Sequence, residues 1–473
     1  MDKFFKISER GSNVKTEIIA GLTTFFAMAY IIIVNPNQIT GFTPGLDSIW
    51  NAVYIATILA SVIGTLLFAF YAKLPFAQSC GMGLNSYFFV SFVLPQVISG
   101  QDPVKGYQAG LVIILISGLI FLILSVTGAR SYIAKAMPDC IKKAIPAGIG
   151  LFIAFIGFQN VGIIQPNQYT LVQFVKIKDA IWYQWDPALE KFIGIAPAVI
   201  ALLGFIIIAI LSKLRVKGAV LIGILATSVI FYLATWTLPS FNMGDVFAPF
   251  KDFADIGISA IFTADSWKNA FSPEFVGGIF SAIMLIVTFC LVDMFDTIGT
   301  LYGTASEADM LDENGDPIDV NKAMTCDSVA TVAGSVLGTS TVTTFVESAS
   351  GVAAGGKTGL TSLVTAICFA ICLFLAPVAG IIPAAATAPA LIFVGVLMLK
   401  NFSKVDMNDL RSAVPAFLAL IMMPLTYSIA NGIGIASIAY VLITLFTGNY
   451  KKKDIAVTII ALLFLAKFIF GTM

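Results

Sequence analysis

Residues 338–354 read GTSTVTTFVESASGVAA, with apolar runs on both sides. Nearly every position is small or hydroxyl-bearing, around a single acid, Glu347. A regular membrane helix needs about 20 apolar residues, and this stretch is shorter and more polar than that. Gly338, Gly351, Gly355 and Gly356 let the backbone leave a regular helix and approach a ligand closely. Unwound backbone at membrane depth is tolerated only where its N–H and C=O groups line a cavity. The stretch reads as a broken membrane segment built around a carboxylate.

Composition supplies the membrane. The chain has 473 residues, 58% hydrophobic and 11% charged, against about 25% charged in soluble domains. Its mean hydropathy is +0.94. Lipid cannot solvate backbone polar groups, so such a chain crosses as apolar helices. A formal charge of zero argues against a nucleic-acid partner. The six Cys lie in or beside apolar runs without a CxxC pair and read as small buried hydrophobes. Histidine is absent, which excludes His-based catalysis, metal ligation and proton relay. The N-terminal MDKFFKISERGSNVKTE is polar and basic and does not read as a cleavable signal peptide.

Apolar runs predict fourteen spans: 17–34, 50–71, 77–96, 107–127, 139–160, 192–211, 216–236, 276–302, 323–338, 341–355, 359–380, 385–400, 411–429 and 432–448. A further run, 455–471, spans or lies at the interface. With the N-terminus inside, twenty Lys and Arg fall on the cytoplasmic side and six on the other, counting loops only. That asymmetry supports the span count and a cytoplasmic N-terminus. Trp182, Trp185, Trp236 and Trp267, in or beside the long outward loops, suit a membrane interface. The acidic 305–320 stretch lacks the spacing of a Ca²⁺ loop and reads as a solvated loop.

The third span is also broken, reading LPFAQSCGMGLNSYFF. Interrupted segments at corresponding places in two halves point to a transporter binding site. ASVIGTLL at 60–67 matches ATVAGSVL at 330–337, and QSCGMGLNS at 78–86 then lies against STVTTFVES at 340–348. IPAGIGLFIAF at 145–155 resembles APALIFVGVLM at 388–398. Seven spans per half make the second copy inverted. The fold class expected is an all-α polytopic membrane protein of 14 transmembrane segments in a 7+7 inverted repeat.

Charge inside a bilayer is expensive, so intramembrane acids are functional candidates. Three are singled out: Asp293 and Asp296, on one helix face in FCLVDMFDTIGTLYG, and Glu347. Asp296 has a second reading, in which Thr297 and Thr300 are its local hydrogen-bonding partners. Asn85 and Gln78 are amides on the opposing broken segment, and an amide suits a purine or pyrimidine edge. Each can equally make a buried interhelical bond. Phe25, Phe26 and Tyr30 are candidates for ring stacking or for plain packing. A metal site is not expected, although Na⁺ needs only oxygens.

The motifs GLTTFFAMAYIIIVNP, GMGLNSYF, VDMFDTIGT, GTSTVTTFVESASGVAAGGKTGL, APALIFVGVLM and PAFLALIMMPLTYSIANGI resemble the nucleobase–ascorbate transporter superfamily. Within it they are most similar to the hypoxanthine/guanine/adenine permeases. The resemblance implies a core domain (17–138 and 276–384) and a gate domain (139–240 and 385–448). An N-terminal segment 1–16, an extracellular loop 241–275 and a C-terminal segment 449–473 complete the chain. It implies substrate held between short strands in broken segments 3 and 10. Carried over by residue, it assigns substrate binding to Asn85 and Glu347 and an acidic role to Asp293 and Asp296. Gln78, Thr344, Phe345, Ser348 and Phe25 complete the expected substrate-binding set. QSCGMGLN departs from the more usual LAPGMGLN, which makes Gln78, Ser79 and Cys80 candidates for tuning selectivity.

The expectation is a secondary active importer of purine bases in the plasma (inner) membrane, not an enzyme and without a cofactor. H⁺ is the expected coupling ion, carried by Glu347, Asp293 or Asp296, with Na⁺ left open. Its partners are a purine nucleobase and the lipid bilayer, with a homodimer left open. An anion exchanger would need a basic or neutral residue at 347. An aspartyl protease would need acids on two helices, and a channel would need no repeat.

Overall fold

The computed structural model describes residues 2–128, 137–175, 184–186, 191–193, 197–235, 246–307, 310–311 and 317–470. Helices dominate it. The first half holds α1 (Val14–Met28), α2 (Ile31–Ile39), α3 (Asp47–Leu67), α4 (Met82–Phe88), α5 (Pro103–Val126), α6 (Asp139–Asn160), α7 (Pro197–Lys213) and α8 (Ala219–Thr235). The second holds α9 (Gly278–Glu307), α10 (Val320–Leu337), α11 (Ser348–Ala353), α12 (Gly359–Ile371), α13 (Ala384–Leu399), α14 (Leu410–Leu425), α15 (Ile429–Phe446) and α16 (Ile455–Phe470). Among the described residues nine helical stretches are long and apolar enough to cross a membrane, and four shorter apolar helices accompany them.

Local sequence sets these boundaries. Asn13, Asp102, Thr358, Asp409 and Ser428 each cap a helix by accepting a backbone N–H of its first turn. The buried Glu17 carboxylate accepts from the backbone N–H of Lys357 (3.0 Å) and Thr358 (3.2 Å), and from the hydroxyls of Thr358 (2.8 Å) and Thr361 (2.6 Å). A carboxylate at the start of α12 is stabilised there by free N–H groups and the helix dipole. The first span is not one helix: α1 and α2 meet at Ala29 and Tyr30, where Ile32 and Ile33 bond back only three residues.

Among the described residues six short strands pair as three ribbons: β1 (Gln78–Cys80) with β6 (Val342–Thr344), β2 (Ile164–Asn167) with β3 (Leu171–Phe174), and β4 (Gln184–Asp186) with β5 (Lys191–Ile193). The first joins the two halves and is antiparallel, with Gln78 facing Thr344, Ser79 facing Thr343 and Cys80 facing Val342. Broken segments 3 and 10 are thus each a strand followed by a helix, α4 and α11, whose N-termini adjoin the ribbon.

The matching positions of the two halves do matching work. A Cβ on Gly64 would lie 2.4 Å from Gln78 Oε1, and one on Gly334 would lie 2.8 Å from Val342 Cγ2. Each glycine admits the strand of its own half. The turns before the strands both use left-handed residues, Lys73 at φ 55° and Gly338 at φ 103°. Pro146 and Pro389, matched in the sequence, both sit inside helices.

Helices α1, α3, α5, α10 and α12 pack on one another in a chain of contacts around the ribbon, while α6, α13, α14 and α15 pack together and α7 and α8 join α13. α16 lies on α15, with Phe464 against Gly434. Residues 248–276 are short helices over α3 and α5 rather than an open loop. Trp267 donates to Ile261 O at 2.8 Å. Trp182, Trp236, the side chain of Trp185 and residues 308–309 and 312–316 of the acidic stretch lie outside the described residues.

Candidate functional site

The β1–β6 ribbon is the scaffold. Phe345 N donates to Ala77 O and Gly81 N to Thr341 O, each at 3.0 Å, so backbone pairing continues at both ends of the strands. The outer edges face side chains instead of a third strand. Gln78 N donates to Thr65 Oγ1 at 3.1 Å, Val342 N to Thr331 Oγ1 at 3.1 Å, and Thr344 N to Asp327 Oδ2 at 3.1 Å. An unpaired backbone group at this depth costs several kcal/mol, so these hydroxyls and this carboxylate hold irregular backbone in the membrane.

Asp327 was not among the acids singled out from the sequence. It is wholly buried on α10, and besides Thr344 N it accepts from Thr344 Oγ1 at 2.9 Å and from the side-chain amide of Gln78. One carboxylate therefore grips the facing residues of both strands. The signal was present as an acid in CDSVATVAGS, inside the span expected at 323–338, where the surrounding Thr and Ser made it less conspicuous.

The three expected acids occupy different settings. Asp293 is buried, accepts from Thr331 Oγ1 at 2.8 Å, and keeps Oδ1 without a partner. Asp296 is half-buried, and no described residue hydrogen-bonds its carboxylate. Its Oδ2 lies 3.8 Å from where a Cβ on Gly81 would be, beside the unpartnered hydroxyl of Thr341 at 3.5 Å from that point. Thr300 Oγ1 bonds the Asp296 backbone carbonyl at 3.0 Å and Thr297 meets Thr343, so neither expected local partner serves the carboxylate. Along a helix a threonine readily returns its proton to the carbonyl four residues back. Glu347 is half-buried ahead of α11, and its Oε1 accepts from Tyr30 at 2.6 Å.

The remaining expected residues support this frame. Gln78 and Thr344 turn to Asp327. Ser348 Oγ accepts from Ala77 N at 3.0 Å, tying α11 to β1. Asn85 is buried between Ser340, which donates to its oxygen, and Gln38 at 3.4 Å. Phe345 is 4% exposed and packs in the apolar cluster that includes Met28, Tyr54 and Phe369. Phe25 is half-buried with its ring edge-on to Phe369 at 5.3 Å. Tyr30 is a hydrogen-bond donor to the acid rather than a stacking ring.

The half-exposed charged groups at the ribbon are thus both carboxylates, Asp296 and Glu347. Ion pairs among the described residues are Lys6–Glu9, Lys142–Asp139, Lys268–Asp265 and Lys322–Asp319, and none reaches these acids. Such a site accepts hydrogen bonds and repels anions. Helix α6 faces it: a Cβ on Gly83 would lie 2.2 Å from Ile149 Cγ2, and one on Gly299 would lie 3.6 Å from Pro146.

Comparison with known proteins decides the family, since the model of the permease family matches residues 15–435. The chain belongs to that family, the nucleobase–ascorbate transporters. The permease is a multi-pass membrane transporter and not an enzyme. It is 39% identical over 477 residues to the guanine/hypoxanthine permease PbuG of Bacillus subtilis, covering 99% of this chain and 100% of that one. It is 35% identical over 470 residues to the adenine permease AdeP of Escherichia coli, covering 99% and 96%. The transmembrane domain of a cyanobacterial bicarbonate transporter, BicA, superposes with a TM-score of 0.59 at 16% identity, covering 89% of the permease and 97% of that domain. The permease shares that fold.

Proposed function

We propose that the permease imports purine nucleobases, guanine or hypoxanthine with adenine close behind, by secondary active transport. The observation that carries this reading is that the half-buried charged groups by the β1–β6 ribbon, Asp296 and Glu347, are both carboxylates and make no ion pair among the described residues. Purine edges present N–H donors, which carboxylates accept, whereas an anion would be repelled. The names of the relatives at 35% and 39% identity agree with it. Glu347 binds the base, while Asp296 and Asp293 are the further candidates for binding or coupling. Asp327, Gln78, Thr344, Ser348 and Asn85 hold the frame, and Phe345 and Phe25 belong to the apolar cluster around Phe369.

The coupling ion proposed is H⁺, with Na⁺ the alternative, and the membrane is the plasma membrane with the N-terminus cytoplasmic. Fourteen segments in a 7+7 inverted repeat divide into a core (17–138 and 276–384) and a gate (139–240 and 385–448). The core, carrying the ribbon, slides against the gate in an elevator-like cycle. Labelled guanine, hypoxanthine, adenine, xanthine and uracil uptake, in cells without purine import, tests this across pH and Na⁺. Saturable purine uptake that rises with an inward proton gradient supports it. Absence of purine uptake under every condition refutes it.

A further inference from the structure

Tyr30 stands at the break between α1 and α2, fully buried. Its hydroxyl donates to Glu347 Oε1 at 2.6 Å, and a phenol has one proton to give. Glu347 is half-buried, and among the described residues no side chain other than Tyr30 hydrogen-bonds its carboxylate. Before any ligand arrives, half of the carboxylate is already engaged.

We infer that Tyr30 is a specificity-determining residue: by holding Oε1 it leaves Oε2 as the freer acceptor, so the site reads chiefly one N–H of the base and accepts guanine and hypoxanthine alike. This rests on the purine reading above. The two bases share the N1–H and the 6-oxo group, and guanine adds an amino group at C2, next to N1. A carboxylate with both oxygens free takes N1–H and the amino N–H as two parallel bonds, the fork geometry that makes bidentate pairing strong. With one Oε1 lone pair taken and the rotation locked, a second bond from the amino group has to share Oε1 with the phenol, which weakens it. The hydroxyl thus broadens selectivity by subtraction.

Uptake competition measures this directly. In the wild type, guanine and hypoxanthine displace labelled hypoxanthine with inhibition constants within about threefold, and their 1-methyl derivatives compete about tenfold worse, one charge-assisted bond being lost. Tyr30→Phe keeps the ring and frees Oε1; the guanine-to-hypoxanthine preference then rises about tenfold through KM, with Vmax for guanine within about twofold. In Tyr30→Phe/Glu347→Gln the preference returns to the wild-type value, because an amide has one acceptor oxygen. An equal loss of both bases in Tyr30→Phe, or an unchanged ratio, overturns the assignment and leaves the purine reading standing. If Tyr30→Phe does not reach the membrane, the wild-type panel decides alone: a guanine preference of about tenfold or more overturns it. A wild type that takes up no purine overturns both readings.

Discussion

Removing the Asp327 carboxylate tests how the binding frame is held. Asp327 accepts from Gln78, from Thr344 Oγ1 at 2.9 Å and from Thr344 N at 3.1 Å, all in a fully buried setting. In Asp327→Ala the Thr344 hydroxyl can rotate to another acceptor, but the Gln78 amide and the Thr344 N–H stay orphaned. At about 1–3 kcal/mol for each buried orphan, the loss is roughly 2–6 kcal/mol. Asp327→Asn keeps one oxygen. Placed toward Gln78 and Thr344 Oγ1, it orphans only Thr344 N–H, for a loss of about 1–3 kcal/mol. Thermal unfolding in detergent, followed by size-exclusion fluorescence, should therefore rank wild type above Asp327→Asn above Asp327→Ala. Thr344 lies three residues before Glu347, so base affinity should fall in the same order. Wild-type stability and affinity in Asp327→Ala would refute the view that this acid clamps the ribbon.

Three further outcomes follow from contacts elsewhere in the protein. Gly83→Ala should reduce uptake about tenfold, since its Cβ would meet Ile149 Cγ2 at 2.2 Å. Adding Ile149→Ala should restore uptake, because the next atom, Ile149 Cβ, is 3.6 Å away. Arg10 donates to the carbonyls of Lys73 at 2.9 Å and Lys357 at 3.0 Å, fastening the N-terminal segment across both halves. Arg10→Ala should lower the unfolding temperature while leaving the guanine KM within about twofold, and Arg10→Lys should recover part of the loss as a compact cation without the fork. Gly359→Ala should fail to accumulate in the membrane, because its Cβ would lie 2.2 Å from the backbone oxygen of Ala69, which cannot yield as a side chain can.

Much of the architecture was legible because lipid enforces long apolar runs. The helices at Asp47–Leu67, Pro103–Val126 and Asp139–Asn160 lie where such runs are. The breaks in segments 3 and 10 were legible because glycines and hydroxyls interrupt those runs, and Glu347 stood out as an acid with no solvent to explain it. What the sequence hid depends on register. Whether Gln78 looks toward a cleft or toward α10 is settled by strand alternation and pairing with Thr344, neither of which a three-residue strand advertises. The Tyr30–Glu347 bond joins positions 317 residues apart and lies at a break within a run that reads as one helix. Asp327 was overlooked because α10 mixes it with Thr and Ser, and its burial comes from packing against β6 rather than from its own neighbours.

The shared fold with BicA at 16% identity leaves chemistry to the side chains at the ribbon. Here the half-exposed charged side chains at the ribbon are the carboxylates Asp296 and Glu347, and the proposed assignment to a hydrogen-bond-donating base rests on them.

A structure of the permease in lipid nanodiscs with guanine is the most direct test of that assignment. The account predicts the base at the ends of β1 and β6, with a ring N–H within about 3 Å of Glu347 Oε2 and Tyr30 still bonded to Oε1. Guanine bound elsewhere, with Glu347 out of reach, would contradict it.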